Sequence, residues 1–154
     1  SLKGLARAYA ELVQGRGEAD ADFCTVFGRA SKERQQNGRK ADEGQQGLVV
    51  FWDAIPASVQ VPLDLDVMNP HFPDYYQDTK GRTPPSAWQS PVPVYFLAIA
   101  PGAVFRTALS VARPGRESLR ALELAAEWLS GGLQELGLGA KTSAGYGCFR
   151  VRVM

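Results

Sequence analysis

Residues that bind metals or form covalent cross-links are scarce in this chain. Its 154 residues include two cysteines, Cys24 and Cys148, and one histidine, His71. Two cysteines cannot build a disulfide-rich scaffold or fill a tetrahedral zinc site. We therefore expect a protein of a reducing compartment, the cytoplasm, that carries no metal and no cofactor.

The sequence also lacks long apolar runs and a large net charge. No apolar stretch reaches the roughly 18 residues that a membrane-spanning helix needs, so we expect no membrane partner. Hydrophobic residues make up 45% and charged residues 21% of the chain, as in a typical soluble globular protein. At this length we expect a single domain covering residues 1–154.

The net charge of +1 is unevenly distributed along the chain. Residues 41–78 carry seven acidic side chains and no Lys or Arg, whereas residues 79–154 carry nine Lys/Arg against four acids. Such segregation can build a basic face that attracts nucleic acid. Ordinary scatter of surface charge is the alternative, and composition does not decide between them.

Two segments have the apolar period of a helix. In residues 2–14, apolar side chains recur every three or four positions until Gly15 and Gly17. In residues 117–136 a longer apolar stripe predicts the clearest helix of the chain. We expect its side chains Leu119, Leu122, Leu129 and Leu133 to be buried.

Short apolar or alternating runs predict the strands. Residues 48–55 form an apolar run that Pro56 ends, which is typical of a buried strand. Residues 61–67 alternate apolar side chains with Asp64 and Asp66, as a half-buried edge strand does. Further strands are predicted over residues 92–99 and 104–112, joined as a hairpin at Pro101-Gly102, and over residues 147–153.

Two segments between these elements are predicted to be irregular. Residues 29–47 are nearly all polar or glycine, with almost nothing to bury, and predict a mobile polar loop. Residues 69–91 are rich in proline and aromatic residues and predict an irregular insertion.

The order of these elements favours an α+β fold. It matches a ferredoxin-like β-α-β-β-α-β unit, which is RRM-like, with an antiparallel sheet and two helices on one face. The first strand of that unit is missing, and we expect it to precede Ser1.

The loop between the second long helix and the last strand is the most informative segment. Residues 137–147 contain four glycines, which let a backbone approach a ligand closely, and the single cation Lys141. Exposed amides, hydroxyls and one cation suit a phosphate oxygen. Ala140 stands where a P-loop needs glycine, and the order helix-loop-strand is the wrong one, so ATP or GTP binding is not expected. A plain connection without ligand is the alternative.

The ordered set of motifs resembles one protein family. Ser1-Leu2-Lys3-Gly4 with Arg7 is similar to the S-S-L-K-G-x-x-R motif of the RAMP proteins, RNA-binding subunits of CRISPR effector complexes. Residues 137–147 with Phe149 resemble their C-terminal glycine-rich motif. Similarity to one subfamily, the sixth subunit of type III-B (Cmr) complexes, comes from residues 27–28, 51–54, 65–72, 75–76, 90–94 and 96.

The resemblance implies a role and a set of site residues. It implies a non-catalytic subunit that binds guide crRNA near its 3′ region and helps assemble an antiviral ribonucleoprotein. Its implied partners are other Cmr subunits of RAMP type and a small helical subunit. The residues permit RNA binding, because Lys3 and Arg7 are one helical turn apart, and Tyr146 offers a ring for base stacking. The expected RNA-binding residues are Lys3, Arg7, Gly137, Gly139, Lys141, Thr142, Ser143, Gly145 and Tyr146.

Three other functions use different residues. An endoribonuclease of RAMP type would use His71 as its general acid–base, although no second titrating residue accompanies it. A metal-dependent nuclease would use Asp64 and Asp66, joined by Asp53 or Asp74. A protein-only assembly adaptor would use tryptophans as interface anchors, namely Trp52, Trp88 and Trp128.

Overall fold

The chain separates into two units of unequal size. The computed structural model describes residues 1–31, 44–69, 72–85 and 90–154. The helical unit comprises Ser1–Ala54 and Thr107–Met154, and the ribbon unit comprises Ile55–Arg106. The helices are α1 (Leu2–Leu12), α2 (Ala21–Phe27), α3 (Pro73–Gln77) and α4 (Ser118–Gly131). The strands are β1 (Gly28–Arg29), β2 (Gln45–Gln46), β3 (Val49–Phe51), β4 (Ile55–Pro56), β5 (Leu63–Met68), β6 (Val94–Ile99), β7 (Phe105–Arg106) and β8 (Leu109–Val111).

Helix α1 confirms the helix predicted over residues 2–14 and ends slightly earlier. The Ser1 hydroxyl accepts a hydrogen bond from the Gly4 backbone N–H at 3.2 Å and so caps the first turn. Ala6, Tyr9 and Ala10 form its buried face. The small side chains Ala6 and Ala10 let α1 lie close to α4, against which it packs.

Helix α4 follows the predicted helix, but it buries a different face. The α-helical part ends at Gly131 and continues as a π-helical turn over Gly132–Leu136. Of the four leucines expected in the core, only Leu129 is buried, Leu122 and Leu133 are half-buried, and Leu119 is 68% exposed. The buried residues are Ala121, Ala125, Trp128 and Leu129.

Aromatic side chains fill the core between α2, α4 and β3. The Phe27 ring stacks on Trp128 with 5.5 Å between centroids and on Phe51 with 6.0 Å. Phe23 is fully buried and lies 5.0 Å from Phe27. Trp128 and Phe23 are among the largest fully buried side chains of the described residues, and rings of this size bury much apolar surface.

The expected single antiparallel sheet does not form among the described residues. There the strands pair only in twos, as β1–β2, β3–β8, β4–β7 and β5–β6, and each pair is antiparallel. The strand predicted over residues 48–55 is limited to Val49–Phe51 and pairs with Leu109–Val111. No strand forms over residues 147–153 of the described chain, where Phe149 instead donates its backbone N–H to Leu133 O at 2.9 Å. An alternating segment becomes a strand only when a neighbouring strand accepts its hydrogen bonds.

The predicted hairpin at Pro101-Gly102 is wrong. The chain does turn there, but β6 pairs with β5 along its whole length, with Leu65 opposite Leu97. The residues after the turn pair with β4 and β3 instead. Pairing with β5 gives β6 six residue pairs in register. The stabilisation from these pairs outweighs the advantage of the short connection at Pro101-Gly102.

Both segments predicted to be irregular contain ordered parts. Gly28–Arg29 and Gln45–Gln46, at the ends of the expected mobile loop, form the short β1–β2 ladder. Within the expected insertion, α3 forms, and the Asp78 carboxylate accepts hydrogen bonds from the backbone N–H groups of Lys80, Arg82 and Thr83. These bonds hold the pKa of Asp78 below its usual value, the one from Lys80 contributing most.

Candidate functional site

Arg7 and Lys3 lie one turn apart on α1 but differ in their surroundings. Arg7 Nε donates to Glu11 Oε1 at 2.9 Å, and Nη2 lies 3.4 Å from Glu18 Oε1. Its guanidinium carbon lies 5.1 Å from the centroid of the Phe23 ring. Within the described residues Lys3 forms no such ion pair. The Arg7 charge is therefore partly compensated within the fold, whereas Lys3 is exposed to solvent.

A cavity of about 350 Å³, here called the tryptophan cavity, lies beside the start of α1. Its lining brings together the N-terminal segment, the residues that follow β3 and the beginning of the glycine-rich loop. Most of the lining side chains are apolar, with one cation and one carboxylate among them. They are Ser1, Leu2, Lys3, Phe51, Trp52, Asp53, Ala54 and Leu138.

A second cavity of about 310 Å³, here called the basic groove, shares Lys3 with the tryptophan cavity. Three of its lining side chains are cationic, Lys3, Arg7 and Arg29. The rest of the lining comes from Phe27, Gly28, Ala30, Gln45, Gln46 and Gly47.

The floor of the basic groove requires glycine at two positions. A Cβ on Gly28 would lie 2.5 Å from Gln45 O, and a Cβ on Gly47 would lie 2.6 Å from Phe27 C. Gly28 also has a φ of 84°, which disfavours any other residue. The β1–β2 ladder therefore depends on close contact between the two backbones, and it places Arg29 in the same groove as Lys3 and Arg7 of α1.

Hydrogen bonds close the glycine-rich loop on itself. Leu138 N donates to Gly147 O at 2.8 Å, which joins the two ends of the loop. Lys141 has the left-handed conformation, with φ 61°, and its carbonyl accepts from Ala144 N at 2.9 Å and Tyr146 N at 3.3 Å. A turn of 3-10 helix, Thr142–Ala144, follows it. The loop is thus a defined structure in which glycines and one strained lysine carry the positive φ angles.

Of the predicted site residues, the structure brings Lys3 and Arg7 together in the basic groove. Leu138 lines the tryptophan cavity beside Lys3, so the beginning of the glycine-rich loop meets the N-terminal motif. Lys141, Thr142, Ser143 and Tyr146 line neither cavity. Lys141, Thr142 and Tyr146 are half-buried, and Ser143 is exposed.

An ion-pair cluster supports the segment between α1 and α2. Asp20 caps α2 by accepting from the N–H groups of Asp22 and Phe23, and Arg16 donates to it at 2.7 Å. Burial opposes the charged form of Asp20, but these hydrogen bonds and the Arg16 charge outweigh it and lower its pKa. Asp22 accepts two hydrogen bonds from Arg120, at 2.9 and 2.6 Å, which lower the pKa of Asp22.

The alternative catalytic sites find little support in the geometry. Within residues 1–31, 44–69, 72–85 and 90–154, no three His, Cys, Asp or Glu side chains lie close enough to hold a metal ion. Asp64 and Asp66 share a face of β5, where Asp66 accepts from the Val67 backbone N–H at 2.7 Å. His71 lies outside the described residues.

Only one of the three tryptophans is a surface feature of the described chain. Trp128 is 1% exposed and belongs to the core, so its predicted role as an interface anchor is wrong. Trp88 lies outside the described residues. Trp52 is 56% exposed, although the apolar run predicts a buried strand position there.

Three features were not predicted from the sequence. They are Arg29 in the lining of the basic groove, Trp52 in the lining of the tryptophan cavity, and the close backbone contacts at Gly28 and Gly47. The two glycines that flank the polar segment were the available signal, because close backbone approach is a common reason for glycine. Trp52 could have been found from its place in the motif at residues 51–54, next to the charged Asp53.

Comparisons with known proteins give the family. The family model of the RAMP superfamily matches residues 1–150. The Cmr subunit Cmr6 of the CRISPR system of Pyrococcus furiosus is 39% identical over 108 residues, which cover 67% of this chain and 30% of that protein. A crystal structure of Cmr6 from Pyrococcus furiosus matches with a TM-score of 0.47 and 26% identity, covering 96% of this chain and 78% of that one.

The family match extends over nearly the whole chain and includes both motifs on which the resemblance depends. The chain spans less than a third of the length of the curated relative. None of the helices in the described ranges is long and apolar enough to cross a membrane. The resemblance drawn from the ordered motifs is confirmed, and the chain belongs to the RAMP superfamily.

Proposed function

We propose that this protein is a subunit of a type III-B Cmr effector complex and acts in CRISPR antiviral defence in the cytoplasm. In this proposal it binds guide crRNA near its 3′ region and does not cut RNA itself. Its protein partners are other Cmr subunits of RAMP type and the small helical subunit. Family membership and the similarity to a subunit named Cmr6 support the proposal.

The position of Lys3 carries the RNA-binding part of the proposal. Lys3 lines both the tryptophan cavity and the basic groove, and Arg7 and Arg29 line the groove beyond it. A track of cations suits the phosphates of a single strand, which contribute most of the affinity in non-specific binding. The Ser1-capped N-terminus of α1 adds a partial positive charge beside Lys3.

The glycine-rich loop supplies the second contact in this proposal. Its backbone at Gly137, Gly139 and Gly145 approaches the RNA, and Lys141, Thr142 and Ser143 bind a neighbouring phosphate. Tyr146 stacks on a base. Leu138 links the two contacts, because it belongs to this loop and lines the tryptophan cavity.

RNA affinity measured at several salt concentrations tests the proposal. Lys3→Ala and Lys141→Ala should each weaken binding by a similar factor for RNAs of unrelated sequence. Each should also reduce the slope of log affinity against log salt by about 0.7 units or less, the value for one phosphate contact on a single strand. Lys80→Ala is the matched control, because Lys80 is an exposed lysine of the ribbon unit. Arg7→Ala is less informative, since Arg7 also pairs with Glu11 and Glu18.

Unchanged affinity and slope for the Lys3 and Lys141 variants together would contradict the RNA-binding proposal. Thermal unfolding of each variant, compared with the unaltered protein, separates loss of binding from loss of fold.

The proposal also predicts the outcome of removing each candidate catalytic group. His71→Ala, and Asp64→Asn combined with Asp66→Asn, should leave target-RNA cleavage by the assembled complex unchanged, because neither group performs the chemistry in this proposal. The measurement is cleavage of labelled target RNA by complexes of verified composition. Loss of cleavage in a normally assembled complex would assign a catalytic role to the altered residue.

One observation favours a second function, the protein-only adaptor. One face of the β5–β6 ribbon exposes apolar side chains on both strands, including Leu65 and Leu97, each 69% exposed. An apolar face of this kind on a two-stranded ribbon is typical of protein interfaces. Retained complex assembly together with no RNA affinity would favour this function.

A further inference from the structure

Trp52 is an exposed side chain held in a fixed position. Its backbone N–H donates to Ala108 O at 3.1 Å, and its carbonyl accepts from Thr107 Oγ1 at 2.7 Å. The indole Nε1 donates to Ser110 Oγ at 2.9 Å. These bonds tie the residue at three points to the segment before and within β8. More than half of the side chain nevertheless remains exposed to solvent.

This arrangement leaves the ring face as the part of Trp52 that can bind a ligand. The single hydrogen-bond donor of the indole is satisfied by Ser110, so the residue offers no polar group to a partner. A large aromatic face held rigidly at the surface loses little conformational entropy on binding a flat ligand. The tryptophan cavity, which Trp52 lines, is open to such a ligand.

The size and lining of the cavity fit one planar ring system. Its volume of about 350 Å³ is near the lower end of the range of roughly 300–1,000 Å³ seen for small-molecule sites. Leu2, Phe51 and Leu138 make its wall apolar, and its charged groups are Lys3 and Asp53. In such a site the apolar wall packs against a ring, and the few polar groups bind the polar atoms at the edge of the ring.

We infer that the tryptophan cavity is a pocket for one unstacked base of the bound RNA, with guanine the preferred base. This inference rests on the proposed RNA-binding function and names a contact within it. The base stacks on the Trp52 ring, and the phosphate that follows it pairs with Lys3. Asp53 accepts hydrogen bonds from the base edge.

The carboxylate of Asp53 accounts for the preference. An ionised carboxylate only accepts hydrogen bonds, through two oxygens. Guanine presents two adjacent donors on its Watson–Crick edge, the ring N–H and the exocyclic amino group, which match a bidentate acceptor. Uracil presents a single N–H between two carbonyl oxygens, which the carboxylate repels. The pocket therefore adds a preference at one nucleotide to binding that is otherwise directed at the backbone.

Fluorescence titration of the full chain with short single-stranded RNAs tests this inference. The probes are a uridine-only oligoribonucleotide and the same oligoribonucleotide with one uridine replaced by guanosine, adenosine or cytidine. We expect the guanosine probe to bind at least about fivefold more tightly than the uridine-only probe, the effect of one bidentate base contact. Stacking on Trp52 should also quench its indole fluorescence.

Variants at Trp52 and Asp53 separate stacking from recognition of the base edge. Trp52→Ala should weaken binding of every probe by about 5- to 150-fold, the effect of one base–aromatic stack. Trp52→Phe should recover part of that loss. Asp53→Asn should abolish the preference for guanosine, because the guanosine probe should bind more weakly while the uridine-only probe, freed from the repulsion of the carboxylate, should bind as tightly as before or more tightly. Asp53 is exposed, so we expect this variant to fold normally.

Failure of the pocket and failure of the proposed function give different results. If Lys3→Ala weakens binding while Trp52→Ala and Asp53→Asn leave all affinities unchanged, the RNA site stands and the base pocket is wrong. If none of the three affects RNA affinity, the proposed RNA-binding function is wrong as well. If Trp52→Ala leaves RNA affinity unchanged and prevents complex assembly, Trp52 is a protein-interface anchor and the pocket is again wrong.

Discussion

Asp22 connects the segment between α1 and α2 to α4. Its carboxylate accepts two hydrogen bonds from the Arg120 guanidinium and lies 3.8 Å from Arg16 Nη1. The bonds from Arg120 are the main cause of its lowered pKa in the folded protein. They bridge 98 positions of the sequence, so the pair joins the two chain segments that make up the helical unit.

The lowered pKa predicts how stability depends on pH. A carboxyl group whose pKa is lower in the folded state stabilises that state above its unfolded pKa, which is about 3.8. The stabilisation is lost as pH falls through the folded pKa. Asp22→Asn should therefore lower the melting temperature at pH 7, and the difference from the unaltered protein should shrink below about pH 4. The measurement is thermal unfolding across that pH range.

A difference in melting temperature that stays constant from neutral to acid pH would contradict this origin of the stability. Glu127→Gln is the matched control, because Glu127 is an exposed acidic residue of α4, the helix that carries Arg120. It should show no such pH dependence.

At the residue scale, the sequence predicts which side chains share a face better than it predicts their partners. The spacing of Lys3 and Arg7 places them one turn apart, as observed. It does not reveal that Glu18, eleven residues after Arg7, also pairs with Arg7, or that Phe23 lies beneath the guanidinium. Such contacts depend on where the chain returns after α1, and local spacing carries no information about that.

Gly131 of α4 lies against the ring of Tyr9 of α1. A Cβ added there would overlap the ring of Tyr9, whose hydroxyl donates to Glu135 Oε1 at 3.1 Å. Tyr9 is buried and has little room to move. The next residue, Gly132, is buried against Leu5 in the same way. Glycine at these positions allows the ring and the helix backbone to be in contact.

Packing and helix propensity predict opposite signs for the change in the free energy of unfolding that Gly131→Ala causes. Propensity alone favours alanine inside a helix by about 1 kcal/mol. Because the added methyl group collides with a buried ring, we expect the free energy of unfolding to fall by about 1–3 kcal/mol instead. Chemical denaturation of the variant and the unaltered protein measures it.

Gly17→Ala provides the comparison. Its added Cβ meets nothing within 4 Å, and the free energy of unfolding should change by less than about 1 kcal/mol. A Gly131→Ala protein that is more stable than the unaltered chain would show that Tyr9 moves aside freely.

At the element scale, helices are predicted well and strand pairing poorly. The apolar period of α1 and α4 lies within each segment, so both helices follow from the sequence. The buried face of α4 does not, because Ala121 and Ala125 contribute little to an apolar stripe yet occupy the contact with neighbouring elements. Pairing of β5 with β6 across an insertion of about two dozen residues requires knowledge of distant segments. The predicted hairpin paired residues 92–99 with the nearer segment, residues 104–112, and it was wrong for that reason.

At the scale of the whole molecule, the two motifs shared with RAMP proteins in general, residues 1–7 and 137–149, lie in the helical unit. Lys3, Trp52 and Leu138 come from three distant parts of the sequence and line one cavity. The order of the motifs along the chain was sufficient to predict the family. The cavity itself could not be predicted, because it depends on where β3 ends relative to the start of α1.

In the proposed function, RNA lies against the N-terminal part of α1 and the tryptophan cavity. Ultraviolet cross-linking of the natively isolated complex, followed by mass spectrometry of the cross-linked peptides, tests this placement of the RNA. We expect guide-length RNA attached to the segment that contains Trp52 and to the segment that contains Lys3. RNA attached only to Tyr75, Tyr76 or Tyr95 of the ribbon unit, or a complex in which this chain cross-links to no RNA, would contradict it.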